Sequence, residues 1–318
     1  MAVDLEARPV APARPSRSTG RGPGRALRKP QFWFGGAVLV PTLLWYTIFQ
    51  FGPVLESFYF SFVYVRILNL LGGRFTGLGN YTQLFDPELN PDFGLAALNT
   101  VVWTALQFAI VVPLALLLAT CLTTITRGRT FFQVVFFLPV ITPLVVIGLI
   151  MERFFDPQAG LANEALHTVG VAPSQWLHDP IIALPLGASI GAWRWLGLYT
   201  VLLTAGMLNI PRDVRDAARV DGAEGWTLFR RITLPLLGHI MVLVLILLLV
   251  NSAQEYTLPN MLSTQTTNLE MINGALEGIA FGNRLQIGVG AAGGAIECVV
   301  TLVISLLILR VFRPKWSY

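Results

Sequence analysis

Six apolar stretches, each long enough to cross a bilayer as a helix, occupy residues 32–54, 97–121, 131–150, 181–208, 236–256 and 286–309. A crossing helix needs about 20 mainly apolar residues, and in lipid its backbone groups must be satisfied within the segment. That requirement leaves little choice of fold. Charged residues make up only 13% of the chain against about 25% in soluble domains, and mean hydropathy is +0.64. No gap between the stretches holds a soluble domain of about 100 residues. The expectation is an all-α integral membrane protein, a bundle of six transmembrane helices spanning 31–312. Prolines 41, 113, 139, 143 and 185 fall inside the stretches, so kinked helices are expected.

Loop charge sets the orientation. Seven Lys and Arg precede the first stretch, two lie between the second and third, five between the fourth and fifth, and three follow the last. The alternate loops hold only Arg66, Arg74, Arg153 and Arg284. Basic residues accumulate on the cytoplasmic side, so both termini are expected there. Residues 1–30, rich in Pro, Arg, Gly and Ser, read as a disordered basic tail, and 313–318 as a short cytoplasmic tail. The first apolar stretch is long and is followed by no clear A-x-A site, so it reads as an uncleaved span rather than a signal peptide.

Several chemistries find no support. Cys121 and Cys298 form no spacing motif, and His167, His178 and His239 are scattered, so neither a metal site nor catalytic residues are expected. No GxxxxGK[ST] run is present, so nucleotide hydrolysis is not expected of this chain. A secondary transporter or channel would call for inverted repeats, and the two halves show no convincing repeat.

The most informative stretch is IPRDVRDAARVDGAEGWTLFRRITLPLL, Ile210 to Leu237, a charged run on the cytoplasmic side between two apolar segments. Pro211 suits the first position of a helix and Asp213 its first turn. Val214, Ala217, Ala218 and Asp221 recur on one small face, and Arg212, Arg215 and Arg219 form a second stripe, with Asp216 spaced to pair with Arg212 or Arg219. Gly222 offers a helix stop or bend, so two short helices at an angle are expected. Spacing alone leaves two readings open: a solvated helix near anionic headgroups, or a docking element.

The run Asp216-Ala217-Ala218, Gly222, Ile232, Leu234 and Pro235 resembles the EAA signature of binding-protein-dependent ABC importer permeases, with Asp216 in place of Glu. GLGNYTQLFDP, RTFFQVVFFLPVITPLVV, FDPQAGLAN and GAWRWLGLYTVLLTAGMLNIP are similar to the sugar-transport branch, the maltose and glycerol-phosphate type. The resemblance implies a type I permease bundle in a prokaryotic inner or plasma membrane. It implies that loop 209–235, with Asp216, Ala217, Ala218, Asp221, Gly222, Ala223, Arg212, Arg215 and Arg219, docks in a groove of a cytosolic ATPase. The implied partners are a second homologous permease, two cytosolic ATP-binding subunits that bind ATP and Mg, an extracytoplasmic solute-binding protein and membrane lipids, with no nucleic acid and no cofactor in this chain.

A charge inside a span is costly, roughly 2.5–3.5 kcal/mol at the centre, so Arg194 and Glu297 need partners or water. Each either lines a solute path or pairs with a neighbouring charge such as Glu152 or Glu255. At the end of the fifth stretch, Asn251, Ser252, Gln254, Glu255 and Tyr256 place amides and a carboxylate beside an aromatic ring, the combination a sugar needs. The competing reading is an interfacial helix end.

Overall fold

The protein is described by a computed structural model, covering residues 29–65, 73–90, 92–125, 127–262, 269–282 and 285–312. Most of the basic tail and all of 313–318, with Arg66 and Arg284, lie outside the described residues. The chain divides into two compact units, 1–54 and 55–318. Helix α1 (Lys29–Tyr46) continues through a π-helical turn, Thr47–Phe51, into α2 (Gly52–Phe60), within which the first unit ends at residue 54. The π turn contains Phe49, four residues before Pro53, where a proline ring would otherwise strike the carbonyl of an α-helix.

In the second unit, a two-residue ribbon, β1 (Val63–Tyr64) against β2 (Arg74–Phe75), precedes α3 (Gly79–Leu84). This ribbon departs from the purely helical expectation. The long helix α4 (Phe93–Thr124) matches the second stretch, and α5 (Arg129–Ile141) with α6 (Leu144–Phe154) the third. The third stretch is not one helix: α5 and α6 meet at 91°. Thr142 is extended (φ −71°, ψ 133°), as a residue before proline prefers, and Pro143 has no N–H to continue the ladder. Next come α7 (Leu161–Thr168) and α8 (Ala183–Asn209), the fourth stretch. Pro185 lies in the first turn of α8, where a missing N–H costs nothing, so it makes no kink.

The charged loop forms α9 (Arg212–Val220), α10 (Gly225–Leu228), a π turn at Phe229–Thr233 and α11 (Leu234–Leu236). The second π turn again sits under a proline, Pro235. Then α12 (Gly238–Ala253) turns 75° away from Gly225–Leu236. It ends short of the expected 256, and Gln254 to Tyr256 link it to α13 (Thr257–Leu262). Last come α14 (Ile272–Phe281) and α15 (Ile287–Val311). By length and apolarity, Phe34–Phe60, Phe93–Thr124 and Ile287–Val311 can each cross a membrane, and the two bent pairs raise the number to five among the described residues. Helix α8 matches them in length, its apolarity diluted by Arg194 and by its Gly, Ser and Thr residues.

Helices α4 and α8 run parallel, because contacts step along both: Trp103 lies at Gly187, Gln107 at Gly191, and Thr120 Oγ1 is 3.9 Å from Met207 Sδ. Their seam closes on α12 around Val111, Ala115, Tyr199, Leu203, Met241 and Leu248. Helix α5 crosses α8 backbone to backbone, since a Cβ at Gly197 would meet the carbonyl of Phe136. Along α15, Gly290 and Gly293 admit Ala280 and Leu276 of α14, the close approach that small residues permit.

Two polar clasps hold the ends. Buried Asn80 donates to the carbonyls of Ser61 (3.0 Å) and Val63 (2.9 Å), beside Gly288 of α15. Arg129 Nε donates to Leu122 O (2.8 Å) and its Nη2 to Ile125 O (3.0 Å), putting a cation on the otherwise unsatisfied carbonyls at the end of α4.

Candidate functional site

Two regions hold the residues singled out by the sequence. The first is the loop from Ile210 to Leu237. Pro211 is the N-cap (φ −53°, ψ 139°) rather than the first helical residue, and α9 starts at Arg212 with Asp213 in its first turn and Arg219 in its last, both favourable to the helix dipole. The helix closes with a Schellman motif: Ala223 N–H donates to Ala218 O (2.9 Å) and Gly222 N–H to Arg219 O (3.0 Å). Gly222 supplies the required left-handed turn at φ +80°, with open space where a Cβ would be. Two short helices at an angle result.

The expected small face divides. Ala218 is buried against its own chain, with Val214 and Arg215 half-buried, while Ala217, Asp221, Arg212, Asp216 and Arg219 are exposed and Ala223 is half-buried. Of the two pairings open to Asp216, the chain forms the one with Arg219, at 3.4 Å, and both side chains are more than half exposed. Such a pair is worth at most about 1 kcal/mol, so it orients rather than stabilises. Two large apolar residues absent from the sequence-based set stand outward, Val220 at 88% and Trp226 at 70% exposure. Their signal was available: both are bulky apolar residues in an otherwise polar run.

The second region lies where α12 ends between α8 and α15. Arg194 Nη1 on α8 is 3.8 Å from Glu255 Oε2, with the side chains only 13% and 11% exposed. Its guanidinium carbon also sits 4.3 Å from the centre of the Trp195 ring, a cation–π distance. Glu255 Oε1 accepts from Leu258 N–H (3.3 Å) at the start of α13. One turn back, Asn251 Nδ2 donates to the buried Tyr199 hydroxyl (3.1 Å). Glu297 Oε1 accepts from Asn273 Nδ2 (3.0 Å), which also reaches Ala253 O (3.3 Å) at the end of α12.

Arg194 and Glu255 are thus brought together, and Glu297 is tied to the same helix end through an amide rather than a cation. Gln254 is exposed, Tyr256 packs on the cluster around Trp103, and Ser252 is buried on Leu249 O. Among the described residues, three buried polar atoms have no hydrogen-bond partner: Arg194 Nε, Thr104 Oγ1 and Gln107 Oε1. Thr104 and Gln107 were passed over because they lie in a charge-free apolar run, where their three-residue spacing on one face was the available sign.

Residues 111–318 match the family of binding-protein-dependent transport system inner membrane components, which includes the whole EAA-like loop. The chain belongs to that family. It is 30% identical over 279 residues to the arabinooligosaccharides transport system permease protein AraP of Bacillus subtilis (strain 168), covering 85% of each chain. Its fold matches the crystal structure of a bacterial ABC transporter involved in the import of the acidic polysaccharide alginate, with TM-score 0.77 and 24% identity over 91% of this chain and 98% of the other. A second crystal structure, of the bacterial alginate ABC transporter with its alginate pentasaccharide-bound periplasmic protein, matches with TM-score 0.75 over the same shares. This chain is therefore a membrane-embedded permease component of an ABC importer with the type I permease fold, and ATP hydrolysis belongs to separate ATPase subunits.

Proposed function

We propose that the chain forms, with a second homologous permease, the path for a sugar or related polyol delivered by an extracytoplasmic binding protein. The observation that carries this reading is the pairing of two regions in one family-matched segment. A polar, aromatic-flanked cluster sits within the bundle, and a Schellman-ended helix offers Ala217 and its charged neighbours outward. The oligosaccharide named for the AraP relative supports the substrate class, and the periplasmic protein in the alginate complex supports delivery by a binding protein. Within the six-span domain 31–312, loop 209–235 then contacts one of two cytosolic ATP-binding subunits, which hold the ATP and Mg. Both termini lie on that cytosolic side of a prokaryotic inner membrane, in keeping with the basic loops.

Asn251, Gln254 and Tyr256 are the residues proposed to face the solute. Arg194 takes a structural part, because Glu255 and the Trp195 ring already engage its charge. The test is reconstitution in liposomes, with a panel of labelled oligosaccharides and their binding proteins, with and without ATPase subunits. Accumulation is expected only with the ATPase and ATP, and substrate-specific accumulation by this chain alone would overturn the reading.

A further inference from the structure

The segment Gly225–Leu236 is set at 75° to α12, the helix that enters the apolar bundle immediately after it. A helix crossing the bilayer near its normal therefore leaves this segment close to the membrane plane. Its inner side is accounted for: Phe229, Leu234 and Leu236 pack on the cluster between α4, α8 and α12. Its outer side carries Trp226, Thr227, Arg230 and Arg231, all exposed, Trp226 at 70%. Neither arginine has an ion-pair partner among the described residues, and Trp226 is braced by stacking on Phe229 at 5.4 Å between ring centres. The nearest acid in sequence, Glu224, is exposed at the far end of the segment.

We propose that this outer face binds anionic phospholipid headgroups. Guanidinium groups engage phosphate oxygens through paired N–H donors, and an indole beside them suits the headgroup level, with its N–H toward water. A segment lying in the plane with Trp and Arg on one side has the composition of an interfacial helix. Among the described residues this segment leaves both of its cations open, and it carries no acid of its own to engage them. Lipid contact would brace the short lever between the charged loop and α12 against the membrane surface.

The test uses the full chain in phosphatidylcholine vesicles in which a minority of the lipid is brominated phosphatidylglycerol or, in a matched sample, brominated phosphatidylcholine. The Trp226 share of the fluorescence is the difference between wild type and Trp226→Phe. Phosphatidylglycerol is expected to quench that share more strongly, and Arg230→Gln with Arg231→Gln to remove the preference, by roughly fivefold per arginine. Arg230→Lys with Arg231→Lys, which keeps the charge, should retain most of it. Equal quenching by the two lipids would overturn the proposal. So would a Trp226 that neither lipid quenches and that iodide reaches until ATPase subunits are added, which would make this face a protein contact.

Discussion

Gly197 and Gly222 are both required by the structure, for opposite reasons. At Gly197 the backbone of α8 lies against the backbone of α5, so any Cβ would collide with the Phe136 carbonyl. At Gly222 nothing lies within 4 Å of where a Cβ would stand, yet the residue holds φ +80°, which only glycine adopts without strain. The first glycine serves packing inside the bundle, and the second serves the shape of a loop whose α9 leaves most of its side chains exposed. The contrast separates what packs this permease's helices together from what shapes an exposed loop.

The sharpest way to break that contrast is Gly197→Val. Overpacking usually costs roughly 1–3 kcal/mol, and here the obstacle is backbone that no rotamer change can clear, so the cost should reach or exceed the upper end. We expect loss of folded, detergent-stable protein, read by size-exclusion chromatography. Wild-type elution would show that α5 and α8 do not meet as described.

Next in size is Arg194→Ala. Removing one partner of a buried ion pair leaves the other charge uncompensated, at roughly 3–5 kcal/mol when burial is complete, and somewhat less here because both side chains keep slight exposure. Arg194→Leu combined with Glu255→Leu should recover most of the thermal stability, since an apolar pair needs no partner. Stability recovered with transport intact confirms a structural pair. Stability recovered with transport lost would put one of the two on the solute path.

Gly222→Val and Ala217→Arg probe the other side of the contrast. A left-handed residue with a side chain costs roughly 1–2 kcal/mol, and that strain falls on the turn between α9 and α10, away from the spans. Ala217 is exposed, so a long side chain there disturbs nothing within the chain. Both variants should insert normally yet lose co-purifying ATPase and substrate-stimulated hydrolysis. Wild-type recruitment in both would show that this loop is not the coupling element.

The two regions also differ in how well they can be read from sequence. Gly222 was legible because local chemistry decides it: a polar helix, a glycine at its end, and a family motif across the stop. The same holds for the apolar stretches, whose length needs no tertiary knowledge. Gly197 was not legible, because the demand on it comes from Phe136, which the chain places opposite only after folding. The break at Thr142 and Pro143 was half legible: the proline announced a kink, but its 91° angle depends on how α5 and α6 pack. Asn273, Tyr199 and Gln107 were missed for a similar reason. Each is an ordinary residue in sequence, and the Glu297, Asn251 or Gly191 that makes it matter lies on another helix.

The smallest effect is expected at the turn after α6, where packing and loop shape meet. Gly160 is needed there because a Cβ would strike the backbone of Asp156, while the Asp156 carboxylate is itself exposed. That carboxylate accepts the N–H groups of Ala159 (2.8 Å) and Gln158 (2.9 Å), which hold its pKa below the ordinary value of 3.8, Ala159 contributing most. A carboxyl with a depressed folded pKa contributes stability that is present above its unfolded value and lost as pH falls through the folded one. The window is therefore acidic, beginning near pH 4 and extending below it. Protection of the Gln158 and Ala159 amides, taken as exchange relative to the intrinsic rate at each pH, should fall as pH drops across that window in the wild type. In Asp156→Asn, whose amide oxygen accepts more weakly and does not titrate, exchange should be modestly faster throughout and lack the pH step. A step of equal size in the variant would assign it to another group and leave the turn held by its backbone contacts alone.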